Sequence, residues 1–317
     1  MKPPSQIRSL DEAVVAGEAN AAAGGRIAAR SRLADFYELT KPRMNFLVLA
    51  TTAVGYYMAV RHSFEWLKLL HTILGTALMA ASAGALNQYA ERRWDARMLR
   101  TSQRPLPAGR LAPVEAMLFG LLLGAAGAAY LAAAVNVQTA AVGGLTLLVY
   151  VLLYTPMKRS TSLCTAVGAV AGAMPPVMGS TAVHNAITPD AVALFTIVFF
   201  WQMPHFLAIG ILCREDYAKG GFRILPVVDH RLAATCRQII VYLLALVPAT
   251  LLPAALHMAG VVYVVFAVVV GIAFLSFGLV CVTTRSREDA RQLFVASILY
   301  LPLLLAVMMI DKLPPVR

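Results

Sequence analysis

The chain has 317 residues, of which 59% are hydrophobic and only 14% are charged, and its mean hydropathy is +0.71. A soluble domain needs much more polar surface, so this composition excludes a soluble enzyme and indicates an integral protein of the lipid bilayer. The net charge of +11 is confined to particular loops rather than spread over one soluble face, which excludes nucleic acid as a partner.

The first segment, residues 1–33, is rich in Ala, Gly, Ser and Arg and contains no long apolar run. Such a segment cannot bury enough apolar surface to fold by itself, so we expect a flexible cytoplasmic tail. The remaining residues, 34–317, are predicted to form a single transmembrane domain.

Nine apolar runs follow in chain order, each close to the roughly 20 residues that a membrane-spanning helix needs. We therefore predict an all-α, polytopic membrane bundle of about nine transmembrane helices. The runs cover residues 44–60, 68–90, 113–133, 139–155, 163–182, 190–212, 234–256, 260–282 and 291–310.

The basic residues alternate between the connections. All but four of the 27 Lys and Arg lie before the first run or within or at the edge of every second connection, the exceptions being Arg61, Lys68, Lys312 and Arg317. Because positive loops stay in the cytoplasm, this pattern predicts a cytoplasmic N-terminus and an external C-terminus. The long connections 91–112 and 213–233 are then both cytoplasmic, and any chemistry built from them takes place on that side.

Three oxygen-bearing side chains end the second apolar run. Asn87, Glu91 and Asp95 are four residues apart, so a helix of about 3.6 residues per turn places them on one face. Carboxylate and amide oxygens suit Mg²⁺, which tends to bridge carboxylates to substrate phosphates. This face is therefore a candidate magnesium site, although a polar contact between helices is the alternative role of Asn87.

Basic side chains surround this face in the sequence. Arg97, Arg100 and Arg104 follow it closely, and guanidinium groups match diphosphate oxygens in pairs. Lys158 and Arg159 end the fourth run on the same side and could also reach a phosphate. Ordinary positive-inside anchoring explains those two residues equally well.

The sixth run carries His205 beside Pro204, and Glu215 and Asp216 follow its end. The two acids predict a second acidic site, which with the first would clamp one diphosphate through two cations. For His205 the sequence leaves two roles open, a hydrogen-bonded core residue or a polar contact or axial ligand to a substrate.

Taken together, these segments resemble the intramembrane aromatic prenyltransferase superfamily. The Arg100-Thr-x-x-Arg104-Pro-Leu-Pro string together with Trp201-Gln-x-Pro-His-Phe resembles its haem-farnesylating branch. The segments that carry the resemblance are Leu39–Arg43, Asn87–Pro107, Tyr154–Thr161, Gly172–Gly179, Trp201–His205, Asp216-Tyr217 and Leu225-Pro226.

The resemblance implies a central cavity capped by cytoplasmic loops, in a bacterial cytoplasmic (inner) membrane. It implies a Mg²⁺-dependent transfer of farnesyl from farnesyl diphosphate to a vinyl group of haem B (protohaem IX), with addition of water to give haem O. Haem A synthase and oxidase assembly proteins follow as candidate protein partners.

The resemblance also implies site residues. The metal ligands would be Asn87, Glu91, Asp95 and Asp216, joined by Glu215. Arg100, Arg104 and Lys158 would bind the diphosphate. The other predicted substrate contacts are Arg97, Tyr154, Arg159, His205 and Tyr217. Many members carry Asp in the middle of the first motif and a spaced acidic pair in the second. This chain has Glu91 and an adjacent pair, so the number of ions stays open.

Two other functions remain open at this point. The nearer one is prenyl transfer to a quinone-ring precursor or a chlorin. The more distant one is a haem transporter or a non-catalytic assembly factor, although transporters often place broken half-helices at the midplane, whereas these polar groups gather at one membrane face.

Overall fold

The structure, a computed structural model, describes residues 31–314, and every regular element in that range is helical. Residues 1–30 of the predicted tail lie outside the described residues. Helix α1 (Arg32–Leu39) follows, and the Ser31 hydroxyl caps it by accepting a hydrogen bond from the Ala34 amide.

Most of the helices after α1 follow the predicted apolar runs closely, and two short ones lie in the predicted connection 213–233. They are α2 (Pro42–Ala59), α3 (Trp66–Asp95), α4 (Pro113–Ala134), α5 (Val137–Leu148), α6 (Cys164–Gly172), α7 (Met174–His184), α8 (Pro189–Leu212), α9 (Arg214–Lys219), α10 (Leu225–Val228), α11 (Ala233–Ala255), α12 (Val261–Thr284) and α13 (Arg287–Ile310). A π-helical segment, Val149–Tyr154, and a last turn, Thr155–Met157, extend α5.

Within residues 31–314, 8 helical stretches are long and apolar enough to cross a bilayer. They match the second to the ninth predicted run, so the prediction of a polytopic all-α bundle is confirmed. The first run forms α2, an 18-residue helix that falls outside those eight. Most of its second half is buried because it packs against α3 and α7, which reduces its need for lipid-facing apolar residues.

The fifth run is interrupted at Ala173, where α6 gives way to α7. Pro175 and Pro176 lie in the first turn of α7, where a missing backbone N–H costs little. Because residues 175–182 are all buried, the break is covered by protein rather than exposed to lipid.

Glycines allow α2 and α7 to approach closely. A Cβ atom at Gly179 would lie 2.0 Å from the carbonyl oxygen of Thr52, and one at Gly55 would lie 2.1 Å from that of Pro176. Small residues at such crossings let two backbones meet. The contact fixes α2, whose first residues border the site described below.

The second half of the bundle packs around its own apolar core. Helices α8, α11, α12 and α13 contribute buried residues such as Ile197, Leu243, Phe274 and Leu304. This packing brings α13 against α8, and so places its side chains beside His205.

Candidate active site

The end of α3 carries three buried polar side chains on one face. Asn87, Glu91 and Asp95 have exposed fractions of 1%, 5% and 1%. Their spacing along a continuous helix stacks them, as the sequence predicts. A buried carboxylate is costly unless it is paired, so the partners of these groups define the site.

Asn87 and Glu91 each face an ammonium group. The Lys41 Nζ donates to Asn87 Oδ1 at 2.6 Å, and the Asn87 amide donates to the Thr155 hydroxyl at 3.2 Å. The Lys158 Nζ lies 2.8 Å from Glu91 Oε1. That distance is typical of an ion pair. The contacts with Lys41 and Lys158 both join distant parts of the chain to α3.

Asp95 is paired with an arginine on one side only. Arg104 Nη1 donates to Asp95 Oδ2 at 2.7 Å, whereas Asp95 Oδ1 is buried without a hydrogen-bond partner among residues 31–314. An unpartnered buried carboxylate oxygen is uncommon and points to an ion or ligand. The Thr101 hydroxyl donates to the Asp95 carbonyl at 2.8 Å and turns the chain back so that Arg104 reaches the carboxylate.

The two lysines have opposite electrostatic environments. Burial, with a smaller contribution from the nearby charge of Arg104, lowers the pKa of Lys41 to about 7. Burial acts most strongly to lower the pKa of Lys158, but the facing charge of Glu91 together with Tyr154 and Tyr150 outweighs it and holds that pKa well above its usual value. Lys158 is therefore the firmly charged one of the two lysines.

The second acidic segment organises the loop after α3. Asp216, in α9, accepts hydrogen bonds from the amides of Leu99 at 3.0 Å and Arg100 at 3.3 Å, and it lies 3.6 Å from Arg100 Nε. The Arg100 guanidinium lies over the Tyr217 ring, 4.2 Å from its centroid. The structure thus joins Asp216 and Tyr217 to the arginine loop, while Glu215 in the same helix is exposed.

The end of the fourth span completes the cluster. Lys158 Nζ lies 4.4 Å from the centroid of the Tyr154 ring, and the backbone carbonyl of Lys158 accepts a hydrogen bond from the Arg223 amide at 2.7 Å. The Arg159 guanidinium lies 3.9 Å from the Trp94 ring centroid, against the end of α3. The loops after α3, α5 and α8 therefore converge on one membrane face.

Some predicted residues stand apart from this cluster. Arg97 is exposed, as Glu215 is. His205 lies within α8, where it stacks on Trp201 with ring centroids 5.0 Å apart and shares a 2.7 Å hydrogen bond with the Ser297 hydroxyl. None of the hydrogen bonds or ring contacts described for residues 31–314 joins His205 to the loop cluster.

Two residues of this region, Lys41 and Tyr150, were not among the predicted site residues. Lys41 takes a left-handed backbone conformation, φ 51°, just before α2 and turns its ammonium group toward Asn87. Its only signal was its place in the Leu39–Arg43 segment. Tyr150 lies in the π-helical segment with its ring centroid 5.0 Å from that of Tyr154, and single π turns often mark functional sites.

The donor set fits a magnesium ion that is shared with a phosphorylated substrate. No three His, Cys, Asp or Glu side chains in residues 31–314 lie close enough together to hold a metal ion by themselves. Mg²⁺ usually takes only one or two carboxylates and completes its octahedron with water and phosphate oxygens. Glu91, Asp95 and the Asn87 amide oxygen would supply the protein part of such a shell.

Comparison with known sequences decides the family. The UbiA prenyltransferase family matches residues 48–303, which is most of the chain. The chain belongs to the UbiA prenyltransferase family.

Several relatives align over almost their whole length. A protoheme IX farnesyltransferase of Solibacter usitatus is 44% identical over 287 residues, covering 88% of this chain and 98% of the relative. Proteins of the same name from Koribacter versatilis and Myxococcus xanthus are 41% and 44% identical, covering 89% and 88% of this chain and 94% and 95% of the relatives.

Solved structures share the UbiA fold. A digeranylgeranylglyceryl phosphate synthase superposes with a TM-score of 0.74 at 17% identity, covering 88% of this chain and 98% of that one. A UbiA homolog from Archaeoglobus fulgidus bound to GPP and Mg²⁺ gives 0.62 at 18% identity, covering 86% and 99%. At these identities the likeness concerns the fold alone.

Proposed function

We propose that this protein transfers the farnesyl group of farnesyl diphosphate to a vinyl group of protohaem IX, with addition of water, to give haem O and diphosphate. The observation that carries the proposal is the face of α3 formed by Asn87, Glu91 and Asp95. Each of these three side chains contacts a cationic side chain that could move to a diphosphate. The names of the relatives at 41–44% identity favour a haem acceptor over a quinone-ring precursor or a chlorin.

We assign the diphosphate to Arg100, Arg104 and Lys158. In the structure these cations face Asp216, Asp95 and Glu91. A Mg²⁺ ion held by Asn87, Glu91 and Asp95 would neutralise the charge that develops on the departing diphosphate. The basic side chains would then turn from the carboxylates to the phosphate oxygens, so that Mg²⁺ and diphosphate bind together.

The chain's own groups lower the barrier to ionisation of the allylic C–O bond. Positioned cations stabilise the leaving diphosphate as its charge grows, and they need no reorganisation during the step. The vinyl carbon of the acceptor then bonds to the farnesyl C1, and water adds at the other vinyl carbon with loss of one proton. The overall products are the hydroxyethylfarnesyl group and diphosphate.

We place this site on the cytoplasmic side of a bacterial inner membrane, with the N-terminus inside and the C-terminus outside. The support is the gathering of basic loops on the face that carries the site, as the positive-inside rule requires. Lys312 donates to the carbonyls of Tyr57 and Val60 at 2.5 and 2.7 Å, at the opposite ends of the helices. We also assign residues 34–317 to one catalytic domain.

Purified protein supplied with farnesyl diphosphate, haem B and Mg²⁺ tests the function. We expect diphosphate release and a haem product whose mass is increased by farnesyl and water, both lost with a chelator and restored by Mg²⁺. Arg104→Gln should abolish turnover, whereas Arg287→Gln, at the exposed start of α13, should not. Prenylation of hydroxybenzoate instead of haem, or haem binding without diphosphate release, would refute the assignment.

A further inference from the structure

His205 is held by the last helix of the bundle. Its Nδ1 lies 2.7 Å from the hydroxyl oxygen of Ser297, and its ring centroid lies 5.0 Å from that of Phe294. Ser297 and Phe294 are three residues apart in α13, so they share one helix face. Ser297 itself is fully buried, with an exposed fraction of 0%.

Ser297 also orients the neighbour on which His205 stacks. The indole N–H of Trp201 donates to the Ser297 carbonyl at 2.8 Å. The rings of Trp201 and His205 are 24° from parallel, as their spacing of four residues on α8 allows. One serine therefore fixes two aromatic residues of α8, through its carbonyl and its hydroxyl.

The direction of the hydrogen bonds assigns the histidine tautomer. The Ser297 hydroxyl donates its single hydrogen to the Phe294 carbonyl at 2.5 Å. Toward His205 the serine oxygen can then only accept, so His205 Nδ1 must carry the proton. A charged ring is costly among these apolar side chains, so the neutral ring is the relevant form, and its Nε2 bears a lone pair.

That lone pair has no hydrogen-bond partner within the part of the chain that the structure describes. We infer that Ser297 is a positioning residue for the acceptor, which holds His205 in the Nδ1–H form so that Nε2 can bind an electron-pair acceptor. In a haem that group is the iron, since neutral imidazole nitrogen is a common iron ligand. The identity of the ligand rests on the proposed function; the tautomer does not.

Histidine ¹⁵N resonances test the tautomer without any substrate. The resonances that disappear in His205→Ala identify His205, and their shifts distinguish an Nδ1–H ring from an Nε2–H ring. We expect Nδ1–H in the unaltered protein, a changed or mixed tautomer in Ser297→Ala, and the original tautomer in Ser297→Thr, which keeps the hydroxyl. An Nε2–H ring in the unaltered protein would overturn the inference, whether or not haem is the acceptor.

Binding of ferric haem, followed by its Soret band, tests the positioning role. Ser297→Ala should weaken haem binding by about fivefold, the size expected for one lost hydrogen bond, while the affinity for farnesyl diphosphate stays unchanged. Ser297→Ala should have no further effect in the His205→Ala background, because it acts through that ring. Equal effects in both backgrounds would contradict the inference.

A second buried serine provides the matched control. Ser82 in α3 is also fully buried and donates to the Gly120 carbonyl at 2.7 Å. Ser82→Ala removes one hydrogen bond of the same kind far from His205 in the chain. It should leave the His205 tautomer and the haem spectrum unchanged, whereas an equal spectral change would show that Ser297 has only a structural role.

Discussion

Replacement of Asp95 by asparagine separates the catalytic role of this side chain from its role in folding. The two side chains have nearly the same shape, so the substitution removes a charge without creating a cavity. Asp95 has an exposed fraction of 1%, one oxygen 2.7 Å from Arg104 Nη1, and one buried oxygen without a hydrogen-bond partner in the described range.

The effects on folding oppose each other. A hydrogen bond between Arg104 and a neutral amide is weaker than one to a carboxylate by about 1 kcal/mol. Removal of a buried charge from Asp95 recovers part of its desolvation cost, which acts in the opposite direction. We therefore expect Asp95→Asn to change the free energy of unfolding by no more than about 1–2 kcal/mol.

The effect on catalysis has no such compensation. Asp95 is a predicted metal ligand, and it also holds Arg104 in place. Loss of one group that stabilises developing charge lowers kcat by about 10²–10³-fold. That range corresponds to about 2.7–4 kcal/mol of transition-state stabilisation. We expect at least the lower value in Asp95→Asn at every Mg²⁺ concentration.

The assay measures diphosphate release and haem product across a Mg²⁺ titration, together with thermal unfolding in the same detergent. Glu288→Gln is the matched control, since it removes one carboxylate charge from an exposed position at the start of α13. If Asp95→Asn keeps kcat within about threefold of the unaltered protein, well below the loss expected for such a group, the assignment of the α3 face to catalysis is wrong.

Two further predictions concern stability. Gly179→Ala places a Cβ atom 2.0 Å from the Thr52 carbonyl oxygen, so it should reduce the free energy of unfolding by about 1–3 kcal/mol and lower the unfolding temperature. Gly144→Ala is the control, because a Cβ atom there has nothing within 4 Å and should not lower that temperature. Equal unfolding temperatures of the two variants would refute the close crossing of α2 and α7. Burial acts to raise the pKa of Asp229, but its hydrogen bonds from the start of α11, including the Thr235 amide at 2.8 Å, outweigh it and lower that pKa. The resulting stabilisation is present above about pH 4 and is lost as the pH falls through the lowered folded-state pKa. Asp229→Asn should therefore be less stable than the unaltered protein at neutral pH and equally stable in acid. A loss of stability that persists in acid would contradict this prediction.

The local features of this protein could be read from its sequence because they depend on short-range periodicity. Long apolar runs predicted the spans. A spacing of four placed Asn87, Glu91 and Asp95 on one face before any packing was known, since helix geometry alone decides which side chains are stacked.

Contacts between helices were decided only by the tertiary structure. Lys41 meets Asn87 across 46 positions of the chain, and Ser297 meets His205 across 92, distances over which no periodicity carries information. Asp216 is predicted from the sequence as a metal ligand, and only the structure shows that it also accepts hydrogen bonds from the amides of Leu99 and Arg100 and lies 3.6 Å from Arg100 Nε. Which acid faces which base depends on how the helix ends pack against one another, and that packing is a property of the whole bundle rather than of any segment.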